Sequence, residues 1–329
     1  MREEIEGNQV LKTINLKHLG LAGGLLFLCI TTAVGQTQGD GSRQIVLEEF
    51  TRARAPGPTA PDKNSAAKST TTKQRAGLSV RLSHYRRVTR PLSSTTKSVR
   101  LPQTEIGITI WRLRPSRPED EAGARLLVMK NDENTQWTPE RIEADTPLKI
   151  GDRVRISIEA PRAGYLYVVD REQYVDGSLG DAFLIFPTNR TRGGDNRALP
   201  GKLIDIPSQE DNPNHFTLVP SPSRHDQAGE VLSIILTPKQ LPFAIADQPR
   251  MIPGADISQW EKLWGAEFER FEMEGGAGLT WTPEEREASA ARNSRYLTQD
   301  QPTPQTIYRL ASTGLRPILV TLRLNYRNR

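Results

Sequence analysis

The sequence predicts a mainly β protein: an antiparallel β-sandwich or open barrel with one or two C-terminal amphipathic helices, preceded by a disordered linker. Three observations carry this. From Ile106 onward, apolar residues recur with a period of two over about ten short stretches, the pattern of half-buried strands. Few helical stretches separate them, whereas parallel strands need crossovers of about a dozen residues or more. Residues 36–104, by contrast, are rich in Ser, Thr, Pro and Ala and lack apolar periodicity, as do chains that bury too little to fold.

The chain begins with what reads as an export signal over residues 1–35. Lys12, Lys17 and His18 precede an apolar run from Leu19 to Val34, closed by Ala33, Val34 and Gly35. The run is shorter than the roughly 20 apolar residues of a membrane span. Cleavage near Gln36 is expected, with retention as an inner-membrane anchor as the alternative. The acidic start, Glu3, Glu4 and Glu6, is untypical of a signal. Cys29, the chain's one cysteine, lies inside this run, so the mature protein would have no thiol for disulfides, thiolate catalysis or zinc.

Residues 36–104 then read as a basic linker. From Arg43 to Gln103, 13 Lys and Arg face three acids, while residues 104–329 hold 28 basic and 32 acidic groups. The pI of 9.3 therefore describes the arm and not the body. Such an arm suits anionic envelope polymers, lipid head groups or the body's own acidic face, or acts as a solvated spacer. Sequence-specific nucleic-acid binding is not expected.

Residues 105–329 form the expected β-rich domain. Ile106, Ile108 and Ile110 share one face of a first strand; Val154, Ile156 and Ile158 share one face of another, with Arg155, Ser157 and Glu159 opposite. Further strands are expected at 125–129, 164–170, 182–186, 202–206, 215–219, 231–237, 306–311 and 318–324. Ile257, Trp260, Trp264, Phe268 and Phe271 recur at spacings of three and four, which predicts a helix over 256–273 capped by Asp256. Thr282, Pro283 and Glu285 predict a second helix start with a capping box.

In "GYLYVVD", Tyr165, Tyr167 and Val169 point one way and Leu166 and Val168 the other, as in a central strand covered on both faces. Asp176 and Gly177 then signal a hairpin turn. Asp170, Glu172, Asp176 and Asp181 are expected as loop acids around it. Asp170, Asp176 and Asp181, with Asp195 and Asn196 of a "GGDN" turn, are the candidates for a loop site. Their spacing matches no calcium loop, and a glycosidase pair would need two carboxyls about 5 to 10 Å apart. His215 and His225 read as structural or exposed. Metal-protease, serine-hydrolase, phosphate-loop and dinucleotide motifs are absent from the sequence, and no metal or cofactor is expected.

The runs "LKIGDRVRISIEAPRAGYLYVVDREQYVDG", "LIFPTNRTRGGDNRALPGKLIDIP" and "EVLSIILTPKQL" resemble the bacterial domain of unknown function 4384, over about residues 140–245. The resemblance implies an extracytoplasmic or accessory module, often attached to caspase-like peptidases or protein kinases. It supplies no catalytic residues. The expectation is a non-enzymatic, exported binding or scaffolding module whose partner is an envelope protein or glycan. The alternatives are an envelope hydrolase or glycan-processing enzyme using loop carboxylates, and a polyanion binder acting through the arm.

Overall fold

The computed structural model describes residues 40–57, 84–89, 103–130, 133–292, 295–311 and 315–327. The expected signal lies outside them, as do residues 58–83 and 90–102 of the expected linker. In chain order the elements are α1 (Asp40–Thr51), β1 (Tyr85–Arg87), β2 (Gln103–Pro115), β3 (Leu126–Lys130), β4 (Glu133–Ile142), β5 (Arg153–Glu159), β6 (Gly164–Tyr174), β7 (Ala182–Phe186), β8 (Arg197–Ala198), β9 (Leu203–Ile206), β10 (Phe216–Thr217), β11 (Gln227–Thr237), β12 (Arg250–Ile252), α2 (Gly254–Trp264), β13 (Phe268–Met273), α3 (Pro283–Ser289), β14 (Thr306–Ala311) and β15 (Ile318–Asn325).

These strands make two antiparallel sheets. The first runs β1-β13-β14-β2-β4-β3, with β5 on the other edge of β2 and β9 and β10 beyond it. The second runs β12-β7-β6-β11-β15, with β8 beside the start of β6. The sheets meet through one core. Ile106, Ile108, Ile110, Ile156 and Ile158 from the first face Leu166, Val168, Ile234 and Val320 from the second. The outer face of the second sheet is also apolar: Tyr167, Val169, Ile235 and Leu319 pack with Ile252 of β12 and Ile257 of α2. The central position of β6 explains its two apolar faces.

The outer face of the first sheet departs from expectation. Arg155, Ser157 and Glu159 were expected to face water, yet all three are buried. Buried charges must be paired, and here they are: Arg155 meets Asp205 at 2.7 Å, and Arg54 grips both oxygens of Glu159 at 2.7 and 2.6 Å.

Arg54 comes from the segment expected to be a linker, and that expectation fails at residues 40–57 and 84–89. Val46 and Phe50 of α1 and Tyr85 of β1 fill a cluster with Phe271, Met273 and Ile307. Gly107 is required beneath it, because a Cβ there would lie 2.7 Å from the Phe50 ring. Arg86 and Arg87 pair with Glu143 and Glu269 at 2.6 and 3.6 Å. Part of the basic arm is thus spent on the body's own acids.

The helix expected over 256–273 is also shorter. It ends at Trp264, because Gly265 turns extended within reach of the Glu261 carbonyl, where a Cβ would lie 2.2 Å from that oxygen. Phe268 and Phe271 belong to β13, where residues three apart lie on opposite faces; Phe268 packs on the main core and Phe271 under α1. Pro253 takes the N-cap position, and Asp256 lies in the first turn. The second helix keeps its expected Thr282 cap, Pro283 and capping box with Glu285.

Candidate functional site

Along the inner face of β6, the period of two carries Leu166 and Val168 on to Asp170, Glu172 and Tyr174. Along β11 the matching row runs Leu236, Ile234, Leu232 and then Glu230. Register places Glu172 directly opposite Glu230 and Asp170 opposite Leu232. Three carboxyls therefore share the inner face where the apolar core gives out. Like charges facing each other across a ladder repel, so hydrogen bonds and protons must offset the repulsion.

They do so unequally. Glu172 accepts from Tyr174 Oη at 2.5 Å and Ser221 Oγ at 2.8 Å. Glu230 Oε1 accepts from Gln227 Nε2 at 2.7 Å and Tyr326 Oη at 2.9 Å. Asp170 Oδ1 and Glu230 Oε2 are buried and accept from no donor among the described residues. The two carboxyls neighbour each other, so a proton on either one relieves their repulsion and supplies a donor to the other. Burial raises Asp170 above the ordinary carboxylate range. Burial and the neighbouring Asp170 raise Glu230 as well. Burial, then the charge of Glu230, raises the Tyr326 hydroxyl.

Asp170 and Glu172 are thus strand residues and not the loop acids expected, because β6 runs on to Tyr174 beside an equally long β11. The other candidates lie apart from it. Asp176 sits at the β6–β7 turn, accepting from Ser178 N at 2.9 Å and Arg224 Nη2 at 3.2 Å. The Ser178 hydroxyl and amide, then Arg224, pull its carboxyl down to about 2. Asp181 is exposed just before β7. Asp195 pairs with Arg197 at 3.2 Å and Lys202 at 3.8 Å. Asn196 is buried and donates to the Leu166 carbonyl at 3.1 Å, pinning the start of β6. His215 is buried, and burial followed by Arg153 and Arg155 pushes it down to about 4; His225 is exposed.

No protein-family model, curated protein or solved structure matches the chain. Its chemistry has to be read from its own geometry. Two concavities stand out, and neither is lined by the acids of β6 and β11. A groove of about 510 Å³ is lined by Pro115, Arg117, Pro118, Arg125, Gln136 and Trp137, among others, at the far end of β2 and β4. Its walls are fixed. The Arg153 guanidinium lies 4.0 Å over the Trp137 ring. Arg125 donates to Gln136 Oε1 at 3.0 Å and to the carbonyls of Pro118 and Asp120 at 3.1 and 2.9 Å. A second groove of about 330 Å³ lies beside α3 between Gln209, Arg286 and Ala290. Among the described residues, no group of three or more His, Cys, Asp or Glu is placed to hold a metal ion.

Sequence reasoning missed Glu230, whose signal was its phase: it stands two residues before Leu232, on the inward row of β11. It also missed the Trp137 groove, because β4 was not foreseen. Pro139 interrupts "ENTQWTPERI", and Pro is rare inside a sheet.

Proposed function

We propose that the protein is a non-enzymatic, exported binding or scaffolding module of the bacterial cell envelope, and that its ligand docks in the Trp137 groove. One observation carries the reading. The larger concavity, with its rigid aromatic and cationic walls, lies away from the carboxyls whose proton affinity is shifted. An active site brings concavity and perturbed groups together, whereas a docking groove needs pre-set walls and a buried aromatic anchor. Export rests on the apolar run after Lys17, and the envelope setting on the resemblance to the domain of unknown function 4384. Among the described residues, no helix is long and apolar enough to cross a membrane.

The test uses mature protein beginning at Gln36 with the variants Arg117→Glu and Asp170→Asn, probed with purified peptidoglycan and envelope extract. Arg117 is exposed, so Arg117→Glu should leave the melting temperature within a few degrees while cutting retention about tenfold or more. The hydrolase reading is favoured by the neighbouring buried carboxyls of Asp170 and Glu230, whose proton affinities are both raised. It replaces ours if the protein turns over a glycan or peptide, Asp170→Asn abolishes that turnover, and Arg117→Glu does not.

A further inference from the structure

Arg192 follows Thr191 in a short turn after β7, and it combines three unusual features. Its φ is 53°, in the left-handed region that non-glycine residues seldom adopt. Its side chain is 7% exposed, yet among the described residues no carboxylate lies within ion-pairing distance. Its Nη1 donates to the Ser289 carbonyl at 3.0 Å, while Nε and Nη2 have no partner among the described residues. Those two nitrogens form one edge of the guanidinium, the edge that grips two oxygens of a carboxylate or phosphate side by side. A buried cation with that edge vacant is unfavourable unless something fills it.

The surroundings supply a second donor and a way in. Asp211 accepts from Arg192 N at 3.0 Å with one oxygen and from Ser208 N at 2.6 Å with the other, so both residues stand at the ends of one carboxylate. The Ser208 hydroxyl is fully buried and also lacks a partner. Asp211 is thus engaged by backbone amides, and Asp205, whose charge also bears on Arg192, is occupied by Arg155 and Ser157. Gln209 and Ala290 line the 330 Å³ groove, and Ser208 and Ser289 are their chain neighbours one residue deeper. The cover over the niche is held by Gln209 Nε2 on the Arg286 carbonyl at 3.0 Å and by Glu210 on Ala291 N at 3.3 Å, exposed bonds that open readily.

We propose that Arg192, with Ser208, forms a site for a small oxyanion presenting two oxygens, of the carboxylate or phosphate class, reached through the groove beside α3. The site is separate from the Trp137 groove and does not depend on that reading.

Melting temperature of the mature protein is measured against phosphate, acetate and chloride at matched ionic strength, since an anion that binds only the folded state stabilises it saturably. Phosphate or acetate should raise it above chloride; whichever saturates at the lower concentration identifies the head group. Arg192→Gln should remove the anion-specific rise. Arg192→Lys keeps the charge but loses the two-pronged edge, and Ser208→Ala loses one donor; each should weaken binding several-fold. Equal behaviour in phosphate, acetate and chloride would mean that the niche holds water alone and overturns the proposal. So would an anion-specific rise that survives in Arg192→Gln. Should that variant fail to fold, Arg192→Lys and Ser208→Ala decide by the same comparison.

Discussion

Glu172 and Glu230 face each other across β6 and β11 with Asp170 beside them, and among the described residues no cation pairs with them; Arg171 points the other way, to Glu261 of α2. Protons take that role, which makes stability depend on pH. In the unfolded chain these carboxyls ionise near pH 4, whereas folding raises Glu230 to about 8. Between those values the folded state binds more protons than the unfolded one, so stability falls as pH rises. His215 acts in the opposite sense below about pH 6.5, because its folded value is depressed. The comparison that isolates the acids is wild type against Glu230→Gln. The melting temperature of wild type should fall more steeply from pH 6.5 to 8 than that of the variant; parallel curves would mean that no proton is held there. These acids were legible as residues but not as a cluster. Asp170 and Glu172 keep the inward phase of Leu166 and Val168, and an acid in an apolar phase was the sign that the strand continued.

α1 shows what a composition-based reading loses at the scale of elements. Val46, Leu47 and Phe50 are too few among Ser, Thr, Pro and Arg to register as a pattern, yet Val46 and Phe50 are buried against β1, β13 and β14. The helix is specified by tertiary packing more than by its own periodicity. α2 erred the other way: Trp260, Trp264, Phe268 and Phe271 keep helical spacing straight through Gly265, and only the glycine marks where helix gives way to strand. The pattern was clearest where a strand is regular, as at 182–186 and 306–311, whose limits match β7 and β14. The energetic weight of the N-terminal segment is testable through Arg54, which ties the residues after α1 to Glu159 of β5 and to the carbonyls of Thr298, Gln301 and Pro302. Arg54→Ala leaves the buried Glu159 without its cation, with the Gly201 amide still donating to it at 3.3 Å, and chemical denaturation should show a loss of about 3–5 kcal/mol. A loss under about 1 kcal/mol would return the segment to the status of a spacer.

Each sheet is completed by a pairing between strands far apart in the described chain. β1 pairs with β13, β2 pairs with β14 over six positions, and β11 pairs with β15 over eight. A mainly antiparallel β fold, sandwich or open barrel, was legible from alternation and turn spacing, but these partnerships were not, because alternation fixes which face a residue takes and not which strand it meets. A chain ending at Pro304 lacks β14 and β15 and exposes the inner rows of β2 and β11. It should melt without a cooperative transition, and a sharp transition in it would show that the last 25 residues are an appendage. The pairing of earlier strands with the late strands β14 and β15 has a consequence for biosynthesis. Contacts so distant along the chain form slowly and late, so a polypeptide still on the ribosome cannot complete either sheet until its final strands have emerged. It therefore stays threadable while it is being made, the state a narrow translocation channel accepts. A protein exported as proposed would then need no separate device to delay its own folding.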